Sequence, residues 1–172
     1  MKLFMKISQL RMTEHYLPKM IRCLEVLNEE QVWKKDKAYL NSIGGLVLHI
    51  CEHIKRNTDG TDNRTSFRKT NPQEEKGIEN FFPDEQLTSD ELIEVVKQTF
   101  ESWFHSQELY FQSSTVNSGE IDIHKMYHLI EHVSYHLGQI VDRTQHITGQ
   151  SYQFCQNGLN ERNLRMKIER EI

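Results

Sequence analysis

Three histidines stand four residues apart in the stretch HLIEHVSYHLGQ, at positions 128, 132 and 136. Imidazole nitrogens are common ligands of divalent metal ions, and two imidazoles at positions i and i+4 of a helix lean over the same turn. The spacing therefore predicts that a pair of these histidines can share one ion. Two ligands rarely hold an ion, so a third ligand is expected from another helix.

The helix that carries these histidines has a clear apolar stripe. Its members are Met126, Ile130, Val133, Leu137 and Val141. At about 100° per residue, His136 lies roughly 80° from the stripe centre, His132 roughly 120° and His128 roughly 160°. His132 and His136 are thus predicted to flank the buried face and form the ligand pair, whereas His128 is predicted to face water.

A second segment shows the same combination of an apolar stripe with flanking histidines. The stripe consists of Ile43, Leu46, Val47, Ile50 and Ile54. On the same helical wheel His53 lies roughly 80° and His49 roughly 120° from its centre, so either can supply the third ligand. The chain has nine histidines, and histidines beside a stripe are more often held by hydrogen bonds than by metal. A bundle with unmetallated histidines therefore remains an alternative.

Several familiar catalytic motifs are missing from the sequence. Val133 follows His132 where a zincin has its glutamate general base, and no P-loop, Rossmann or G-x-S-x-G motif occurs. Tyr135 and Gln139 are predicted either to donate hydrogen bonds to a ligand or substrate, or to be ordinary packing residues. The three cysteines, Cys23, Cys51 and Cys155, are too widely spaced for a disulfide framework or a thiolate zinc site, so they are predicted to be ordinary half-buried thiols. The alternative for Cys51 is a redox-sensitive neighbour of the metal site.

Composition narrows the class of protein. The 172 residues fit one domain, with 37% hydrophobic residues, 27% charged residues and a formal net charge of -4. Basic blocks are absent, which argues against nucleic-acid or membrane-surface partners. The apolar run IGGLVLHIC is too short to cross a bilayer, and the N-terminal residues do not resemble a signal peptide. A cytoplasmic location is therefore expected.

Helical periodicity dominates the chain. It predicts long helices at about 5–28, 39–56, 88–112 and 120–148, and a short terminal helix in NERNLRMKIEREI. No convincing strand is found, so the predicted fold is an all-α four-helix bundle. A long polar connection over 57–87 joins the second and third helices, either as a solvated crossover or as a loop folded over the bundle end with Arg64 and Phe67 as its fixed points.

Local signals refine these helices. Pro18 predicts a kink or a late start in the first helix, and NEEQVWKK after it is predicted to be a polar turn anchored by Val32 and Trp33. Gly44 and Gly45 allow another backbone to approach closely, or simply weaken the first turn of the second helix. Thr88 or Ser89 is predicted to cap the third helix, and the fourth is predicted to end near Gly149.

Four stretches together resemble the DinB/YfiT-like family of metalloenzymes. They are NSIGGLVLHICEHI, DNRTSFRK, LTSDELI and EHVSYHLGQIV, in the family's order. The resemblance covers most of the chain and implies one four-helix-bundle domain over 1–172, with a long crossover between parallel second and third helices. It also implies a divalent metal ion, nickel or zinc first and iron or manganese next, held by His49, His132 and His136.

The sequence departs from the family pattern at three points. Tyr135 precedes His136 and Leu137 follows it, where many relatives have other residues. His53 stands where the family has no histidine. It is predicted either to contact the metal ligands without binding the ion, or to compete with them as a ligand.

The resemblance implies thiol or water chemistry. Related activities are transfer reactions that use low-molecular-weight thiols, so the expected function is a metal-dependent S-transferase, or a hydrolase that activates water. The expected partners are a small-molecule substrate, such as a low-molecular-weight thiol, and a second copy of the chain in a homodimer. The alternative is a non-catalytic, stress-related metal-binding bundle that acts through dimerisation or partners.

Overall fold

The described parts of the chain are helical. The structure, a computed structural model, describes residues 2–59, 82, 87–112, 123–152 and 161–170. The helices are α1 (Lys2–Leu10), α2 (Leu17–Glu25), α3 (Glu29–Trp33), α4 (Ile43–Asp59), α5 (Ser89–Gln112), α6 (Ile123–Thr148) and α7 (Glu161–Arg170), and a π-helical segment, Arg11–Tyr16, joins α1 to α2. Within these ranges no strand occurs, so the predicted all-α class is confirmed.

Pro18 is accommodated without ending the first helical stretch. It is the second residue of α2, directly after the π-helical segment. Proline lacks an amide hydrogen and its ring crowds the carbonyl four residues earlier, and a wider π turn relieves both conflicts by shifting the hydrogen-bond register. Met12 and Tyr16 of this turn are buried, so the wide turn still presents side chains to the core.

A short helix stands where the sequence predicts a polar turn. Asn28 and Gln31 form a capping box: the Gln31 amide donates to Asn28 Oδ1 at 2.9 Å, and the Asn28 amide donates to Gln31 Oε1 at 3.0 Å. These bonds satisfy two amides that a helix start otherwise leaves unpaired, which is enough to nucleate α3. Val32 is the buried anchor that the sequence predicts.

The close approach at Gly44 is made by an indole and not by another backbone. A Cβ atom on Gly44 would lie 2.6 Å from the Trp33 ring. The ring is fixed from its other end, because Trp33 Nε1 donates to the carbonyl of Leu87 at 2.8 Å. The glycine therefore lets α3 pack closely on the first turn of α4, and Trp33 links both to the residues just before α5.

Helix α4 lies in the interior. It packs against both α5 and α6, and α2 packs against the same two helices. Every residue from Ile43 to Glu52 is consequently buried. The side chain of Arg143 on α6 donates a hydrogen bond to the carbonyl of Asn41, just before α4. This bond fixes the position of α6 along its axis relative to α4. The placement of the two histidine-bearing helices follows from these contacts.

The ends of α5 and α6 match their sequence signals. Thr88 caps α5, because its Oγ1 accepts from the Glu91 amide at 3.2 Å while Glu91 Oε2 accepts from the Thr88 amide at 2.8 Å. Gly149 follows α6 with a φ of 66°, the left-handed conformation that favours glycine after a helix. The capping and the termination predicted at these positions are both confirmed.

The terminal helix packs on the first one. Leu164 of α7 is buried, Arg11 pairs with Glu161 at 2.7 Å and Lys167 pairs with Glu14. The predicted terminal helix is therefore confirmed over Glu161–Arg170.

Some of the predicted features lie outside the residues that the structure describes. Most of the 57–87 connection, including Arg64 and Phe67, lies outside the described residues, as does Cys155. Among the helices that are described, none has the length and apolar character needed to span a bilayer.

Candidate metal centre

Three histidines from two helices converge at the contact between α4 and α6. His49 comes from α4, and His132 and His136 lie one turn apart on α6. Each offers a ring nitrogen, and these three nitrogens all lie within 4.8 Å of one another. The structure thus brings together the three residues that the sequence singles out as metal ligands.

The spacing of the nitrogens suits a shared ion. The Nε2 atoms of His49 and His132 are 2.9 Å apart, a hydrogen-bond distance that requires one ring to donate to the other. Two nitrogens that each lie about 2.1 Å from one ion are about 3.0 Å apart at a right angle and about 3.4 Å apart at a tetrahedral angle. An ion could therefore replace the shared proton with only a small separation of the two rings. The donor set fits a divalent metal.

Burial favours the neutral, ligand-competent form of the two imidazoles on α6. The pKa of His132 is lowered to about 3, first by burial and then by the neighbouring His49 and His136. Burial also lowers the pKa of His136, and the hydrogen bond between this ring and Gln139 offsets part of that effect. Because a protonated imidazole cannot bind a metal ion, these shifts remove a competing proton at neutral pH.

Gln139 sets the tautomer of His136. Its side-chain Oε1 lies 2.9 Å from His136 Nδ1, and a carbonyl oxygen can only accept. His136 therefore carries its hydrogen on Nδ1 and keeps the lone pair of Nε2 free for a metal ion. Gln139 thus contacts the candidate ligand as the sequence suggests, but it accepts a hydrogen bond where donation was expected. Tyr135 is exposed, and its ring meets that of His136 edge-on at 5.1 Å.

A second histidine group adjoins the first. Nitrogens of His53, His128 and His132 also lie within 4.8 Å of one another. The ring of His53 stacks on that of His132, with centroids 3.7 Å apart, and the buried Nε2 of His53 has no hydrogen-bond partner among the described residues. His128 is exposed, as predicted, yet its ring centroid is only 5.7 Å from that of His132. It is therefore a neighbour of the cluster and not an isolated surface residue.

The order of burial on α4 differs from the helical wheel. The wheel places His53 nearer the stripe, but His49 is only 1% exposed while His53 is partly exposed. The wheel assumes one buried face, whereas the first ten residues of α4 are covered on every side. Distance from the stripe centre is uninformative in such a segment.

Two residues near the histidines carry no sequence signal. The ring of Phe82 stacks on that of His49 at 4.3 Å and meets that of His136 edge-on at 5.9 Å. Arg56 lies close enough for its charge to lower the pKa of His53, after the larger effects of burial and His132. Phe82 belongs to no periodic pattern, and Arg56 stands at the end of the predicted second helix, so neither was expected beside the site. Together they give the cluster an apolar cover and a nearby cation.

Cys51 does not contribute to this centre. The thiol is fully buried, and burial raises its pKa to about 11 against a hydrogen bond with Thr99 that lowers it. A thiol with so high a pKa stays protonated at neutral pH and reacts slowly with oxidants, and Cys51 is not a member of either histidine group.

Comparisons of the chain with protein-family models, with curated proteins and with solved structures find no match. The likeness to the DinB/YfiT-like family consequently rests on the four sequence stretches alone.

Proposed function

We propose that this chain is a metal-dependent enzyme whose divalent ion, nickel or zinc first and iron or manganese next, is held by His49, His132 and His136. The observation that carries the proposal is the convergence of three imidazole nitrogens within 4.8 Å, from two helices far apart in sequence. A four-helix bundle of DinB/YfiT-like topology, with a crossover between α4 and α5, is the architecture we propose for the whole chain.

Three protein ligands leave a coordination position for water or a thiol, as in catalytic zinc sites. A bound divalent cation lowers the pKa of a coordinated thiol or water and so supplies a nucleophile near neutral pH. The protein's own contribution is positional. His49, His132 and His136 hold the ion, Gln139 fixes one ligand ring, and Phe82 covers one side with an apolar face that excludes water.

The reaction class that we favour is transfer of a low-molecular-weight thiol to an electrophilic carbon. The thiol proton passes to solvent, a carbon–sulfur bond forms, and the leaving group departs with the electron pair of the bond that breaks. Hydrolysis by an activated water is the variant of the same proposal. Both reactions take a small-molecule substrate, and we propose that they occur in the cytoplasm in a homodimeric protein.

The metal content of untagged protein tests the site. We expect about one divalent ion per chain to stay bound through purification in the wild type, and no such tightly held ion in His49→Ala or in His136→Ala. The matched control is His146→Ala, an exposed histidine of α6, which should keep the ion. Turnover is then assayed on the loaded protein with panels of thiols and electrophiles. A wild type that takes up no ion after reconstitution would overturn the site, and a loaded protein inactive on every panel would overturn the enzyme.

A non-catalytic, stress-related metal-binding protein is the second candidate. The observation in its favour is that neither histidine group includes a carboxylate that could act as a general base. The coordination shell separates the two candidates. X-ray absorption should find three nitrogens and an exchangeable oxygen if the site is catalytic. Four nitrogens in the wild type and three in His53→Ala would indicate a closed, structural site.

A further inference from the structure

The five clustered histidines form a gradient from solvent to core. His128 is exposed, His53 and His132 are partly buried, and His49 and His136 are buried. The outer group comprises His53, His128 and His132, and the inner group comprises His49, His132 and His136. The two groups have one member in common, so they lie directly next to each other.

We propose that the outer group is an entry position, at which a divalent cation first binds before it passes to the inner group through His132. The inference rests on the proposed inner site but goes beyond it, because it assigns a role to His53 and His128. His49 and His136 of the inner group are buried and the ring of Phe82 stacks on that of His49, whereas His128 is exposed, so an ion that arrives from solvent meets the imidazole of His128 first.

The shared histidine makes the two positions alternatives. A neutral imidazole carries a hydrogen on one nitrogen and offers a lone pair on the other, so it serves one ion at a time. An ion held by His132 in the outer group must therefore leave that position when His132 turns to the inner group. The geometry suits transfer, since the ring of His132 lies 4.9 Å from that of His49 and 3.7 Å from that of His53.

Two features make the outer position the weaker one. Arg56 lies close enough to both His53 and His132 for its positive charge to act on them, and this charge repels a metal cation at the outer position. One of the three outer ligands, His128, is also exposed to solvent and loses side-chain freedom when it binds. The outer position is nevertheless able to bind an ion. The Nε2 atom of His53 is buried with no hydrogen-bond partner among the described residues, so it can become a ligand without breaking a described hydrogen bond.

Loading kinetics test the entry role directly. Metal-free, untagged protein is mixed with Co²⁺ in a stopped-flow instrument, and binding is followed by the visible absorption of the ion. We expect His128→Ala to slow both loading and release about tenfold, the scale of a modest change around a metal ligand, with equilibrium affinity unchanged. The control is His124→Ala, an exposed histidine one turn earlier on α6, which should load at the wild-type rate.

A second pair of variants isolates the outer position. In His136→Ala the inner group is incomplete, and we expect one Co²⁺ to bind more weakly than in the wild type. Adding His128→Ala should abolish that residual binding, whereas adding His124→Ala should leave it intact.

The outcomes separate this inference from the proposed function. Wild-type binding with His128→Ala loading at the normal rate would overturn the entry position and leave the inner site standing. Residual binding in His136→Ala that does not depend on His128 would overturn it as well. Absence of binding in the wild type would overturn both.

Discussion

Replacement of Gln139 by leucine should weaken metal binding although Gln139 is not a proposed ligand. The 2.9 Å hydrogen bond from His136 Nδ1 to Gln139 Oε1 holds the ring in the tautomer that exposes Nε2, and leucine has a similar volume but no acceptor. Loss of such an orienting partner costs about 10- to 100-fold in metal affinity, or about 1.4–2.7 kcal/mol. His136 is only 7% exposed, so water cannot fully replace the lost acceptor.

A glutamate at the same position should act in the opposite direction. Gln139→Glu keeps the acceptor and adds a negative charge, which raises the basicity of a ligand imidazole, so affinity should equal or exceed that of the wild type. The control is Gln98→Leu, which removes an exposed amide bonded to Glu94 at 2.7 Å on α5.

Competition titration with a chromophoric chelator measures the affinities, and urea unfolding of the metal-free proteins shows whether the fold is intact. Equal affinities in wild type and Gln139→Leu, with folding intact, would refute the orienting role. A Gln139→Glu variant as weak as Gln139→Leu would refute the argument from ring basicity.

Three further predictions concern stability. Gly44→Ala should lower the free energy of unfolding by about 1–3 kcal/mol, because its Cβ atom would lie 2.6 Å from the Trp33 ring. Gly138→Ala, whose Cβ atom would have nothing within 4 Å, should raise the free energy of unfolding by about 0.5–1 kcal/mol. Urea denaturation measures both, and equal effects would contradict the packing argument. Burial depresses the pKa of His53 to about 2 and that of His132 to about 3, so as pH falls below about 6.5 the unfolded metal-free chain binds protons first. The free energy of unfolding should therefore be highest above about pH 6.5. Below that pH it should fall by at most about 1.4 kcal/mol per pH unit for each histidine, and by less where solvent screens the charge. A flat profile between about pH 6.5 and about pH 4.5 would contradict this reasoning. A divalent ion at 100 times its dissociation constant should stabilise the fold by about 2.7 kcal/mol, and chelation should reverse the shift in Tm; an unchanged Tm would mean that the folded state does not bind the ion preferentially.

Sequence periodicity predicts where the long helices lie, because each has an apolar stripe or a strong terminal signal. Their bounds are less accurate: α4 begins at Ile43 and not near 39, and the predicted helix over 5–28 is divided by the π-helical segment. The capping at Thr88 and the termination at Gly149 follow from local chemistry that the sequence displays directly. Helix α3 was not predicted, since it is too short for a periodic signal. It depends on reciprocal bonds between Asn28 and Gln31, which the sequence permits but does not require.

The candidate site was predictable in its members but not in its geometry. The i, i+4 pair on α6 follows from helical spacing, but the wheel left His49 and His53 both open as the third residue, and the choice of His49 came from the family resemblance. The burial of His49 is a property of α4 being surrounded by its neighbours, which the sequence of one helix does not reveal. The stacking of Phe82 depends on a segment with no regular pattern, so no sequence rule would have placed it there.

The direct contact between His49 and His132 joins residues 83 positions apart in the chain. An ion held by both would close this long loop in the folded state, and it would be released when the chain unfolds. Its stabilising effect would grow with the concentration of free ion, because the ion binds the folded chain in preference to the unfolded one. In a cell, the rate at which proteases degrade the protein would then rise as the supply of free metal falls. Shortage of the ion would shorten the protein's lifetime as well as emptying its site.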